Sequence, residues 1–130
     1  MSDRPAPRHV PRSALELLDI KVTQDGGSVR YLEGARYGLA TSVLEAEIVP
    51  GSGPRPHTHT YAEFFILHEG QGRYFVDGIS IDAEAGDIVI VPPDTKHSFV
   101  NTGSGPLRHS AIHEAPARIS TFTDDDSTIR

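Results

Sequence analysis

The residues best suited to chemistry in this chain fall in one short stretch, His57-Thr58-His59-Thr60-Tyr61-Ala62-Glu63, with a further histidine, His97, well downstream. In extended backbone, side chains two apart point to the same face, about 6.5–7 Å from one another. His57 and His59 therefore project together. If the chain stays extended or turns compactly, Tyr61, Glu63, Phe65 and Leu67 share that side, offering two imidazoles and a carboxylate followed by an apolar wall. His97 opens a later β-type run in which Phe99 and Asn101 share its face. Three neutral imidazoles and one carboxylate suit one divalent transition-metal ion: Fe, Mn, Ni, Co, Cu or Zn. A lone strand histidine is more often a surface residue, and an isolated His-x-His recurs by chance. The weight therefore falls on what surrounds these residues.

Composition limits the alternatives. The 130 residues contain no cysteine, which removes disulfides, thiolate catalysis and thiolate metal sites and leaves imidazole and carboxylate as the strong ligands. Hydrophobic residues make up 37% and charged residues 23%, ordinary globular values for one domain. The net charge is −6 and the twelve Lys and Arg are scattered, so no nucleic-acid partner is expected. Apolar runs are four or five residues long, too short to span a membrane. With no apolar stretch after Met1-Ser2-Asp3-Arg4-Pro5, a cytoplasmic location is the expectation.

The elements that must position these groups read as mostly β. Residues 1–12 look like a loose arm. Ser13 and Glu16 form a capping-box pattern that predicts a short helix through about Asp19. From there onward, β-type runs are predicted at Ser28–Leu32, Leu39–Val49, Glu63–Glu69, Gly72–Val76, Ile79–Ile81, Asp87–Val91, His97–Asn101, Leu107–His113 and Ile119–Phe122. Val76-Asp77-Gly78-Ile79 is a tight-hairpin signal, and Gly51-Ser52-Gly53-Pro54-Arg55-Pro56 is a loop. Many short strands with no crossover helices argue for an all-β sandwich or barrel. Asp124-Asp125-Asp126 reads as part of a solvated tail, residues 124–130.

The punctuation carries a resemblance. Gly51, His57, His59, Glu63 and Gly70 stand at the spacing of the first cupin motif, spanning 51–70. Gly86, Pro92, His97 and Asn101 stand at the spacing of the second, spanning 86–101, with Asp94 where that pattern has glycine. Asp tolerates left-handed backbone better than most residues, so the ligand set is not threatened. The chain thus resembles small single-domain cupins. The resemblance implies a double-stranded β-helix or jelly-roll barrel over 13–123 with one short N-terminal helix, metal ligands His57, His59, Glu63 and His97, a small-molecule substrate and a homodimer. Among the chemistries of such proteins, dioxygenase-type oxidoreduction of a small chelating substrate is the first expectation. Redox-neutral isomerase, lyase or cyclase chemistry on a sugar, ketoacid or polyketide is the second, and non-catalytic ligand binding the third.

Other residues are weaker candidates. Tyr61 lies between ligands and could gate the pocket or donate a hydrogen bond. His109 and His113 share parity on one strand and are expected on the outer face, although His109 remains a candidate acid or base. His68 should leave the metal face. Phe65, Leu67, Phe75, Val89, Val91 and Phe99 are the expected apolar lining.

Overall fold

The computed structural model describes residues 6–19 and 27–122; the acidic run Asp124–Asp126 lies outside them. Eleven strands are formed among the described residues: β1 (Glu16–Leu17), β2 (Ser28–Leu32), β3 (Ser42–Ile48), β4 (His57–Thr58), β5 (Glu63–Glu69), β6 (Gln71–Val76), β7 (Ile79–Glu84), β8 (Ile88–Val91), β9 (His97–Asn101), β10 (Leu107–His113) and β11 (Thr121–Phe122). They pair antiparallel in a six-stranded sheet, β1-β2-β3-β10-β5-β8, and a five-stranded sheet, β11-β4-β9-β6-β7. This is the all-β jelly-roll barrel expected from the strand pattern.

Alternation of burial along the strands shows which face looks inward. On β5, Glu63, Phe65 and Leu67 are buried while Phe64, Ile66 and His68 are not, as period-two backbone demands. Leu67, Val91 and Leu107 are almost fully enclosed and pack with Leu44, Ile48, Phe65, Tyr74, Val89 and Phe99 into one core. At about 1.5–3 kcal/mol for each large side chain buried, this core is the main force closing the sheets on each other.

Turns follow the residues that permit them. Asp77 and Gly78 both take positive φ, +52° and +78°, so the β6–β7 hairpin closes as the Asp-Gly pair predicts. Gly70 combines a φ of +82° with close approach to the Pro106 carbonyl, leaving no room for a Cβ. Asp94 accepts a φ of +57° and donates its backbone N–H to the His59 carbonyl at 2.8 Å. The turn that departs from glycine therefore still braces a site histidine.

Two expectations need correction. The capping-box helix is realised only as a 3-10 turn, Arg12–Ala14, whose preceding Pro11 makes no side-chain cap. Glu16 and Leu17 instead pair with Tyr31 and Arg30. An isolated short helix is marginal in water, and sheet pairing wins. The Leu39–Val49 run begins pairing only at Ser42, because Gly34–Tyr37 forms a second 3-10 turn closed by Gly38 in left-handed conformation.

Candidate metal centre

Pairing register brings the four sequence-predicted residues to one point between the sheets. His57 on β4 stands directly across from His97 on β9. His59 lies on the connection to β5, and Glu63 is the first residue of β5. One ligand atom from each lies within 4.8 Å of all the others. His59, Glu63 and His97 are at most 4% exposed, and His57 is half-buried.

The imidazoles are oriented by the main chain. Nδ1 of His57 donates to the Arg55 carbonyl (2.7 Å), Nδ1 of His59 to the Ile119 carbonyl (2.8 Å), and Nδ1 of His97 to the Thr95 carbonyl (2.8 Å). A neutral ring with its proton on Nδ1 has a bare lone pair on Nε2. Those of His59 and His97 lie 3.0 and 2.9 Å from Glu63 Oε1. Two lone-pair atoms at that distance repel unless a cation lies between them. His59 Nε2 is buried and has no hydrogen-bond partner, an orphaned acceptor of the kind a metal ion satisfies. An octahedral ion with bonds of about 2.1 Å sets adjacent donors about 3.0 Å apart, which the two Glu63–imidazole separations match, with all four donors gathered within 4.8 Å.

Charge states suit the same purpose. Burial, then the neighbouring His97 ring, lowers the His57 pKa to about 3, which keeps it neutral. Burial alone would push the Glu63 carboxyl up, but the imidazole contacts, led by the hydrogen bond that His113 donates, outweigh it and hold the group well below the usual carboxylate range.

His109 and His113 correct the expectation that they face outward. β10 is a central strand between β3 and β5, and its odd residues Leu107, His109, Ala111 and His113 all point inward. Both histidines are 2% exposed. The signal was present, since apolar Leu107 and Ala111 share their parity. His113 sits across from Glu63 in the β5–β10 register and donates from Nε2 to Glu63 Oε2 at 3.1 Å. Its Nδ1 accepts the hydroxyl proton of Tyr61 at 2.7 Å. Burial raises the Tyr61 pKa, so it remains a phenol, and its ring stacks on His59. Tyr61 thus touches the centre through His113 and His59 and is absent from the cavity wall. His109 lines the cavity, and its Nδ1 accepts a proton from the Tyr74 hydroxyl at 2.7 Å. Burial lowers the His109 pKa to about 4 and pushes that of Tyr74 well up, so the pair stays neutral. His68 leaves the metal face as expected and bonds Ser110 Oγ.

The cavity over the centre measures about 60 Å³. Phe65 and Phe99 line it, together with Val29, Leu44, Ala46 and Ile48. Leu67, Val89 and Val91 are core residues, and Phe75 is only half-buried because its neighbours Tyr74 and Val76 take the inward positions of β6. Asn101 is a clamp rather than a ligand: its side-chain amide donates to the Ile48 and Gly105 carbonyls (2.8 and 2.9 Å).

A barrel of two antiparallel sheets with this three-histidine, one-glutamate centre is a metal-binding cupin, and the chain belongs to the cupin family: the family's cupin-domain model matches residues 44–113. Among relatives, the uncharacterized protein MJ1618 of Methanocaldococcus jannaschii is 32% identical over 90 residues, covering 67% of this chain and 72% of that protein. The dimethylsulfoniopropionate lyase DddW of Ruegeria pomeroyi is 40% identical over 55 residues, 42% of this chain and 36% of the lyase. Among solved structures, a serine-to-alanine variant of Bacillus subtilis oxalate decarboxylase superposes with a TM-score of 0.74 at 21% identity, covering 85% of this chain and 30% of that one. A second structure of that decarboxylase, from work on its Mn(II) centres, gives 0.69 at 22% identity and 76% and 28% coverage. These structural likenesses are of fold. The chain spans less than a third of the decarboxylase and about a third of the lyase.

Proposed function

We propose that this protein is a metal-dependent enzyme that binds a small chelating organic anion at a divalent ion held by His57, His59, Glu63 and His97. The observation that carries this reading is the common orientation of the imidazoles, each fixed through Nδ1, with the orphaned Nε2 of His59 beside a buried carboxylate. The ion, when bound, supplies Lewis acidity and, if redox-active, one-electron chemistry. Four protein ligands leave two positions on an octahedral ion for substrate.

Two chemistries suit the cavity. Redox-neutral lyase, isomerase or cyclase chemistry is favoured by His109, a neutral imidazole in the cavity wall whose Nδ1 accepts from Tyr74, so that its Nε2–H can donate a hydrogen bond to an anionic substrate oxygen. The names of two similar proteins, a dimethylsulfoniopropionate lyase and an oxalate decarboxylase, point the same way. Dioxygenase-type oxidation is favoured by the apolar walls of Phe65, Phe99 and Leu44, which offer no competing polar group. Metal analysis of protein purified without chelators, followed by product analysis with and without oxygen, separates them. Turnover by zinc-loaded protein without oxygen supports the first, and oxygen uptake only with a redox metal supports the second. Tight ligand binding with no turnover by any loaded form would refute the enzymatic reading.

We also propose a homodimer formed through the outer face of the six-stranded sheet. There Leu32, Val43, Ile112, Phe64 and Ile90 make a continuous row across five strands. Ile88 and Ile90 are 59% and 67% exposed, and flanking Arg30, Arg108, Glu45 and Glu47 supply both signs of charge to a two-fold partner. Ile90→Asp should yield a monomer by light scattering; an unchanged mass would exclude this face.

A further inference from the structure

The segment after β10 returns across the cavity mouth and is tied to the metal centre. His59 Nδ1 donates to the Ile119 carbonyl, the Ile119 N–H donates to the Tyr61 hydroxyl at 3.1 Å, and the Arg118 N–H donates to the Tyr31 hydroxyl at 2.7 Å. Arg118 and Ser120 therefore stand in a fixed relation to the imidazoles, and both line the cavity. Among the described residues, Arg118 is the sole Lys or Arg in that lining, and Glu63 the sole acid. Among the described residues the Arg118 guanidinium has no carboxylate partner, and its one side-chain bond is a long one, 3.4 Å from Nη1 to Ser120 Oγ. A half-buried guanidinium ordinarily pairs with an acid, and its planar fork matches a carboxylate in bidentate fashion.

The charges define what the cavity takes. A divalent ion and Glu63 leave one net positive charge, and Arg118 adds a second, so the site is balanced by a dianion. The cavity, about 60 Å³, suits a small anion rather than a large one. Resting on the metal-dependent reading above, we infer that Arg118, with Ser120, is a carboxylate-binding subsite, and that the substrate is a small dicarboxylate with one end on the ion and the other on Arg118. A neutral diol, a catechol or a long acyl chain leaves the guanidinium unanswered.

The test is calorimetric titration of the full chain, loaded with Mn(II), with acetate, malonate and succinate. Metal content is measured first, in the natural protein and in Arg118→Gln. Malonate or succinate should bind at least about tenfold more tightly than acetate, and Arg118→Gln should lose about ten- to a hundredfold of that affinity with acetate binding and metal content unchanged. Arg118→Lys should recover only part, because it keeps the charge without the fork. Equal affinity for acetate and the dicarboxylates, or a preference that survives in Arg118→Gln, overturns the inference while leaving the metal centre intact. Failure to retain manganese, zinc or iron overturns the metal-dependent reading itself, and this subsite with it.

Discussion

His113 was not among the ligands suggested by spacing, yet it is the residue that most directly fixes the carboxylate of the centre. Its Nε2–H donates to Glu63 Oε2 at 3.1 Å while its Nδ1 accepts from the half-buried Tyr61 at 2.7 Å, His113 and Glu63 both being buried. His113→Phe fills similar space but removes both contacts, leaving one carboxylate oxygen without its donor and the Tyr61 hydroxyl with Ile119 alone. A hydrogen bond to a charged acceptor contributes about 1.5–3 kcal/mol, equivalent to about 10–150-fold in an equilibrium constant, and loss of an outer partner of a metal ligand typically weakens metal binding by about 10–100-fold. Competition with a chromophoric chelator for Zn(II) should show a loss in that range. His113→Gln, which retains an N–H able to reach Glu63, should recover part of it. Tyr61→Phe, acting through His113, should cost less and add nothing in the His113→Phe background, since the two changes remove one chain of bonds. Unchanged zinc affinity in His113→Phe, or strictly additive effects of the two substitutions, would refute the claim that this chain orients Glu63.

Three further outcomes are expected. Substituting Ala for both His57 and His59 should abolish stoichiometric metal by elemental analysis while far-ultraviolet circular dichroism still reports a β protein; retained metal would place the centre elsewhere. Tyr74→Phe should leave metal content unchanged but lower stability by about 1–3 kcal/mol in urea titrations, because His109 Nδ1 is left buried without a donor. For the metal-free protein, the folded pKa values of His57 and His109 fall to about 3 and about 4, below the ordinary 6.5 of the unfolded chain. The unfolded state therefore binds more protons between those limits, and stability is complete above about pH 6.5 and lost as pH falls towards 4 and then 3. His109 alone contributes about 3 kcal/mol to that loss. The depressed Glu63 pKa acts in the same direction below its ordinary 4.5. Denaturation midpoints that do not change from pH 7 to pH 5 would contradict this.

Much of this was legible in the chain itself. Period-two alternation placed β2, β5, β9 and β10 at the bounds they take, because one buried face forces one parity. The Asp-Gly turn was readable because few residues accept positive φ. The donor set was readable because His57, His59 and Glu63 lie within one local stretch and glycine and proline mark where it turns. What spacing could not supply was register between strands distant in sequence. That β4 pairs with β9 sets His57 against His97, and that β5 pairs with β10 sets Glu63 against His113. These contacts join residues 40 and 50 positions apart in the chain, and they follow from closing two sheets over one core rather than from any local preference. The same closure turned His109 and His113 inward and carried Arg118 over the cavity mouth. Local sequence named the ligands; barrel closure chose their neighbours.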